Sequence, residues 1–168
     1  GNRIELYAGM ETVESELPPR EVRPVKFGHL TLQVPQIDRT LQFFTDALGF
    51  RLSDTVQDAL AWLRCDADHH GVALLSANLP KPHHYAYELE DWNAIKKICD
   101  HLWQNDVPII YGPSRHGPGH NLFVYVPDPA GNIIGLRHEV DAGRQRGEGQ
   151  NPVGWQDRVA LRIRAWPD

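Results

Sequence analysis

The sequence predicts an α+β fold made of two βαβββ modules, because the same order of elements occurs twice along the chain. Each module has an alternating strand, then an amphipathic helix, then three further strand-like runs. The modules are assigned to residues 25–78 and 82–140. A length of 168 residues suits this organisation, since it allows one domain or two small modules that share a core.

In the first module, FGHLTLQV (27–34) alternates between a polar face that begins with His29 and an apolar face. Asp38 is the expected N-cap of a helix that ends at Gly49. Apolar residues at helical spacing predict its buried side: Ile37, Leu41, Phe44 and Leu48. Three strand-like runs follow: FRLSD (50–54), ALAWLRC (59–65) and GVALLSA (71–77).

The second module repeats this order after the segment LPKP. HHYAYELE (83–90) alternates as a strand, and Asp91 can cap the helix that follows it. The apolar side of that helix is expected to contain Trp92, Ile95, Ile98, Cys99 and Leu102. Three further strands are predicted: VPIIYG (107–112), NLFVYVP (121–127) and NIIGLRHEV (132–140).

Composition excludes several classes of function. The formal net charge of −5 argues against a general nucleic-acid binder, since no basic face is implied. No apolar run reaches the length of a membrane span, and the N-terminal residues show no signal-peptide pattern. Two cysteines cannot form a disulfide framework, so we expect a reducing, cytoplasmic environment.

The histidines are the strongest candidates for a functional site, since nine in 168 residues exceed what a core needs. His29 and His84 occupy equivalent positions, early in the first strand of each module. Either one alone is most simply a buried histidine with satisfied hydrogen bonds. The symmetric pair instead predicts a site shared by the modules, and imidazoles from facing strands suit Fe, Mn, Zn or Ni.

A metal that binds both substrate and oxygen commonly has two histidines and one carboxylate as ligands. We expect the carboxylate on the last strand of the second module. The motif GNRIEL at residues 1–6 has Glu5 at the relevant position, whereas its second copy, GNIIGL at 131–136, has Gly135. Glu139 has the same parity but lies four residues farther, roughly 13 Å along a strand.

Several motifs together resemble the vicinal oxygen chelate superfamily, and within it the catalytic C-terminal domain of type I extradiol ring-cleavage dioxygenases. The resemblance covers residues 25–140. It is carried by FGHLTLQVPQIDRTLQFFTDALGFRLSD, CDADHHGVALL, HHYAYELED and YGPSRHGPGHNLFVYVPDPAGN, the last being the most specific. It implies a curved mixed sheet around one cavity.

The resemblance also implies roles for individual residues. His29 and His84 would be metal ligands for Fe(II), with Mn(II) as an alternative, and the third ligand would fall on Gly135. His70 would be the acid/base residue, with His69 as the alternative. Two residues would hydrogen-bond the substrate and take part in catalysis: His116 and Tyr125. From the residues alone, His70 could equally be a surface histidine, and Tyr125 could simply pack in the core.

The remaining segments are interpreted through the same resemblance. Residues 1–9 resemble the closing strand of a preceding, non-catalytic domain, and the acidic, proline-rich residues 10–24 are a linker. Residues 141–168 are expected to form a tail that wraps the surface or is mobile. The preceding domain of the same protein and a second copy of the chain are the expected macromolecular partners.

Three functions are consistent with these observations. The first is ring cleavage of a catechol-like aromatic diol with Fe(II) and O2, in the catabolism of aromatic hydrocarbons. The second is a catalytically silent domain that binds aromatic compounds, which Gly135 favours. A glyoxalase-like isomerase fits less well, because such sites also use a carboxylate.

Overall fold

The computed structural model of the chain describes residues 4, 5, 8 and 22–141. Its elements are β1 (Lys26–Val34), α1 (Ile37–Gln42), β2 (Arg51–Val56), β3 (Leu60–Arg64), β4 (Val72–Ser76), β5 (Lys81–Glu88), α2 (Trp92–Gln104), β6 (Tyr111–Arg115), β7 (Leu122–Pro127) and β8 (Ile133–His138). A π-helical segment, Phe43–Ala47, continues α1. The predicted α+β fold with two βαβββ modules is confirmed.

One mixed sheet contains all eight strands, in the order β2-β3-β4-β1-β5-β8-β7-β6. The two modules are mirrored within it, because β1 pairs in parallel with β4 and β5 pairs in parallel with β8. The antiparallel pair β1–β5 joins the modules at the centre of the sheet. The first strand of each module therefore lies beside the first strand of the other.

Each module has its own apolar cluster between its helix and one face of the sheet. In the first, Leu32 and Val34 of β1 pack with Phe44 of the π-helical segment. In the second, Ile95 of α2 packs with Leu136 of β8. Because strand side chains alternate, the neighbours of these residues, such as His29 and Gly135, face the opposite side of the sheet.

Two local predictions were wrong. The first helix begins at Ile37 with Gln36 at the N-cap, so Asp38 lies in the first turn, where its charge favours the helix dipole without capping it. The strand predicted at 107–112 is β6, at Tyr111–Arg115, because the amide of Val107 bonds the carbonyl of Leu102 at the end of α2 and the ladder with β7 begins only at Tyr111. Asp91 does cap α2, by accepting a hydrogen bond from the Ala94 amide.

Other predictions concern residues that are described only in part. Of residues 1–9, the structure describes Ile4, Glu5 and Ala8, and Glu5 is exposed. The linker at 10–24 and the tail at 141–168 lie almost entirely outside the described residues, so these assignments stay predictions. Among the described helices, none is long and apolar enough to cross a membrane.

Candidate active site

His29 and His84 meet at the junction of the two modules. They lie on the paired strands β1 and β5, where His84 is the register partner of Thr31 and His29 is the partner of Ala86. Both imidazoles are buried, and their Nε2 atoms are 2.9 Å apart. The hydroxyl of Thr31 lies 3.3 Å from the same His84 nitrogen. The structure thus brings the two proposed ligands together.

Both imidazoles are neutral at physiological pH. Burial, followed by the neighbouring imidazoles of His70 and His84, lowers the pKa of His29 well below its ordinary value. Burial also lowers the pKa of His84 to about 3. A neutral imidazole offers a nitrogen lone pair, which is the form that binds a metal ion. At this separation the two Nε2 atoms can share one proton or converge on one cation.

The residues of this site fit a divalent metal only in part. Gly135 is the register partner of Ala86 on β5 and of Tyr125 on β7, so it lies on the histidine face of the sheet but offers no ligand. Among the described residues, no group of three or more histidine, cysteine or acidic side chains is arranged to hold a metal. The Nδ1 of His29 also has no hydrogen-bond partner in this part of the chain, although ligating histidines usually have one.

His70 lies inside the cavity and not on the surface. Its side chain is 3% exposed, and its ring centroid is 4.5 Å from that of His29. The Nδ1 of His70 lies 3.0 Å from the Nδ1 of the less buried His69. Burial, followed by the positive charge of Arg137, lowers the pKa of His70 well below its usual value. His70 therefore has the position and the neutral form expected of a proton acceptor.

His116 and Tyr125 form a hydrogen-bonded pair on the other side of the metal-ligand candidates. The His116 Nε2 lies 3.1 Å from the Tyr125 hydroxyl, which is 3.4 Å from the Nε2 of His84. His116 stacks on Phe123 with a centroid distance of 3.6 Å. Burial lowers the pKa of His116 to about 4 and raises that of Tyr125, so both groups are neutral hydrogen-bonding partners.

One cavity of about 260 Å³ is lined by all five proposed site residues: His29, His70, His84, His116 and Tyr125. Its polar end is formed by the proposed site residues, and its wall is mainly apolar. The wall and rim comprise Asp54, Thr55, Val56, Leu60, Trp62, Ala73, Leu75, Gly117 and Pro118. A cavity with a few convergent polar groups and an apolar wall is typical of sites that bind small organic molecules.

Comparison with known proteins identifies the family. The model of the Glyoxalase/Bleomycin resistance protein/Dioxygenase superfamily matches residues 26–136. The chain belongs to this superfamily. Its relatives include extradiol dioxygenases, and the sheet described above is the superfamily's fold.

Individual relatives and solved structures agree with this assignment to the superfamily. A metapyrocatechase of Pseudomonas sp. (strain CF600) is 32% identical, over 92% of this chain and 55% of the relative. A biphenyl-2,3-diol 1,2-dioxygenase of Paraburkholderia xenovorans (strain LB400) is 31% identical, over 62% of this chain and 38% of the relative. The crystal structure of a 2,3-dioxygenase from Pseudomonas sp. KL28 has a TM-score of 0.69 at 28% identity, over 76% of this chain and 46% of the other.

The chain therefore spans about half of the length of the metapyrocatechase and less of the second relative. A Mn(II)-bound glyoxalase from Novosphingobium aromaticivorans also has a TM-score of 0.69, at 34% identity over 71% of this chain and 39% of the other. The superfamily fold is thus shared by a protein named as a glyoxalase and by proteins named as dioxygenases.

Sequence reasoning missed two residues beside the candidate active site: His83 and Arg137. The Nδ1 of His83 lies 2.7 Å from the Nδ1 of His84, and His83 also lines the cavity. Strand alternation placed His83 on the opposite face, so only its position next to His84 could have indicated it. Arg137 is fully buried beside the site; strand alternation from Gly135 could have placed it on the histidine face, but no sequence pattern indicated that a guanidinium would be buried there.

Proposed function

We propose that this domain performs extradiol-type ring cleavage of a catechol-like aromatic diol with Fe(II) and O2. The observation that carries the proposal is the convergence of two neutral imidazoles, His29 and His84, with His116 and Tyr125 in one largely apolar cavity. The relatives named metapyrocatechase and biphenyl-2,3-diol 1,2-dioxygenase support this class of reaction. The chain spans only part of the length of these relatives. An activity like theirs is therefore a proposal for this chain and for the whole protein alike.

The metal would be held by the Nε2 atoms of His29 and His84. Fe(II) bound there would supply open coordination positions for the two vicinal oxygens of a diol and for O2. Mn(II) is the alternative, since one relative, from Geobacillus genomosp. 3, is named a manganese-dependent 2,3-dihydroxybiphenyl 1,2-dioxygenase and is 25% identical.

The chain's own residues have separate tasks in this proposal. His70 is neutral, and its Nδ1 faces His69, so its Nε2 is available to take a proton from the diol. The Tyr125 hydroxyl can donate a hydrogen bond to a substrate oxygen while His116 accepts or donates beside it. The apolar wall that includes Val56 and Trp62 would hold the ring and exclude water.

A catalytically silent aromatic-binding domain is the second candidate, and Gly135 is the observation that favours it. Two neutral imidazoles leave the charge of a divalent cation uncompensated. We therefore expect the unaltered protein to contain little iron and to cleave catechols slowly. In this candidate the diol binds beside His116 and Tyr125 without metal.

The test compares the unaltered chain with Gly135→Glu and with Gly135→Gln, which has nearly the same shape but no charge. Iron is titrated anaerobically, and oxygen uptake is then followed with a panel of catechols. We expect Gly135→Glu to bind Fe(II) stoichiometrically and to consume oxygen, the unaltered chain to do both weakly, and Gly135→Gln to bind no more Fe(II) than the unaltered chain. If neither the unaltered chain nor Gly135→Glu consumes oxygen, the dioxygenase proposal is wrong. Metal-free diol binding in that case would support the silent domain.

A further inference from the structure

Arg137 is a buried cation next to the proposed metal site. It follows Gly135 by two residues on β8, so both lie on the histidine face of the sheet. The side chain of Arg137 is 1% exposed. Its Nη2 donates to the backbone carbonyl of Gly28, 3.1 Å away, and Gly28 directly precedes His29. The guanidinium is thus anchored against the segment that positions one proposed metal ligand.

The backbone of β1 is adapted to this guanidinium. The pairing of β1 with β5 changes register between Phe27 and His29, and Gly28 occupies this irregularity. A Cβ atom built on Gly28 would lie 2.5 Å from the Nε of Arg137. Glycine is therefore required here for the guanidinium to approach the backbone so closely.

The charge of Arg137 is only partly compensated. Its Nη2 is 3.2 Å from a carboxylate oxygen of Asp68 and 3.5 Å from one of Glu88. Lys26 shares both carboxylates, at 2.7 and 3.6 Å. The Nε and Nη1 atoms of Arg137 are buried and have no hydrogen-bond partner within the described part of the chain. The two carboxylates balance the two cations in number, but they are partly exposed to water, whereas the guanidinium is buried and part of it lacks a hydrogen-bond partner.

The cavity lies on the same face of the sheet as this charge. Gly135 and Arg137 are the register partners of Ala86 and Glu88, which follow His84 by two and four residues on β5. A divalent cation between His29 and His84 would therefore be repelled by the guanidinium, in a buried environment where charges are poorly screened.

The two copies of the repeated motif differ at three alternate positions. The first copy, GNRIELY, has Arg3, Glu5 and Tyr7, whereas the second copy, GNIIGLR, has Ile133, Gly135 and Arg137. Relative to the first copy, the second has lost its carboxylate, and its positive charge follows that position by two residues instead of preceding it by two.

We propose that Arg137 controls the metal affinity of the His29/His84 pair, and that its buried guanidinium together with the missing carboxylate at Gly135 opposes a divalent cation. The inference rests on the metal site of the proposed function. Adding a carboxylate at position 135 then recovers only part of the affinity, and the remainder requires neutralising position 137.

The test measures the affinity for Fe(II) by anaerobic calorimetry in the unaltered chain, in Gly135→Glu, and in Gly135→Glu combined with Arg137→Met or Arg137→Tyr. Tyrosine is included because the first copy of the motif has it at this position. The matched control is Arg64→Met in the Gly135→Glu background, because Arg64 is also buried but bonds Ser53. We expect each neutral variant at 137 to tighten Fe(II) binding by about tenfold or more over Gly135→Glu, and Arg64→Met to leave it unchanged.

Circular dichroism establishes which variants fold. A folded neutral variant at 137 that binds Fe(II) no more tightly than Gly135→Glu would overturn the proposal, as would an equal gain from Arg64→Met. If neither neutral variant folds, Gly135→Glu itself decides. An affinity equal to that of the Pseudomonas metapyrocatechase, titrated in parallel, would then contradict a role for Arg137. This experiment measures Fe(II) affinity, whereas the dioxygenase proposal is tested by oxygen uptake. The failure of one proposal can therefore be distinguished from the failure of the other.

Discussion

The Nε2 atoms of His29 and His84 lie 2.9 Å apart although 55 residues separate them in the chain. Their proximity follows from the antiparallel pairing of β1 and β5, the only strands by which one module's sheet continues into the other's within the described residues. A shift of this register by one residue would turn one imidazole to the opposite face. The site therefore depends on the junction of the two modules. The stability of this junction and the chemistry of the site are coupled.

The first prediction concerns pH. Burial lowers the pKa of His84 to about 3 and that of His116 to about 4, from an ordinary value near 6.5. Below pH 6.5 the unfolded chain binds protons that the folded chain rejects, so stability is complete above this pH and falls as the pH approaches 4. At about 1.4 kcal/mol per unit of pKa, we expect a loss of about 3 kcal/mol or more between pH 6.5 and pH 4.

Urea denaturation across this pH range measures the effect. His116→Asn should flatten the profile in part, because it removes one of the four cavity histidines whose pKa is lowered: His29, His70, His84 and His116. His101→Asn, on the exposed side of α2, is the control and should leave the profile unchanged. If the free energy of unfolding falls equally steeply with pH in the unaltered protein and in His116→Asn, protonation of His116 does not contribute to the acid sensitivity.

The second prediction concerns the contact between Gly28 and Arg137. A Cβ atom at residue 28 would lie 2.5 Å from the Nε of Arg137, so Gly28→Ala should destabilise the fold by about 1–3 kcal/mol. Gly71→Ala is the control, since a Cβ atom there has no heavy atom within 4 Å. In an Arg137→Ala background, the cost of Gly28→Ala should largely disappear. Urea denaturation of the four proteins gives this coupling energy, and strictly additive effects would contradict the contact.

This contact also shows where prediction from sequence ends. The two modules and the faces of β1 were predictable, because alternation and the repeated order of elements are local signals. The approach of Arg137 to Gly28 joins residues that are 109 positions apart, and it depends on the relative placement of β1 and β8. No periodicity specifies that placement.

The site residues were predictable to a similar extent. The positions of His29 and His84 followed from the repeat. The sequence could not show which of His69 and His70 is buried, because that depends on the folded conformation of their loop. His70 is the buried member because the backbone of His69 is tied to Asp141 and that of Gly71 to Leu63. Of these two bonds, the one to Asp141 joins the first module to the residue that directly follows the second module.

The third prediction concerns the Tyr125 hydroxyl, which lies between His116 and His84. If it donates to a diol oxygen, Tyr125→Phe should weaken catechol binding to the metal-free protein by about 1 kcal/mol, or about fivefold. Tyr85→Phe is the matched control, because the Tyr85 hydroxyl bonds Asp128 and Tyr85 does not line the cavity. Anaerobic titration calorimetry measures the catechol affinity of both variants. Equal affinities would show that the Tyr125 hydroxyl does not donate a hydrogen bond to the diol.

The last prediction concerns the space at Gly135, where the missing carboxylate would have to attach. A Cβ atom there would lie 3.0 Å from the Cβ of Ala86 and 3.1 Å from the Cε1 of Tyr125. Alanine reduces the entropy of the unfolded chain relative to glycine, which favours the substitution by about 0.4–1 kcal/mol. The Tyr125 ring, however, is half-buried and its hydroxyl is bonded to His116, and the Cβ of Ala86 is fixed by its strand. We therefore expect Gly135→Ala to be destabilising by about 1 kcal/mol.

Ala86 and Gly135 are register partners, which allows the crowding to be tested directly. The exchanged double variant, Ala86→Gly with Gly135→Ala, conserves volume across the pair and should be more stable than the sum of the single effects predicts. Urea denaturation of the four proteins measures this difference. Additive effects would show that the Cβ of Ala86 is not the source of the cost, which would then lie with the Tyr125 ring 3.1 Å away. A clear coupling would mean that a side chain introduced at residue 135, including a restored metal ligand, is crowded by Ala86.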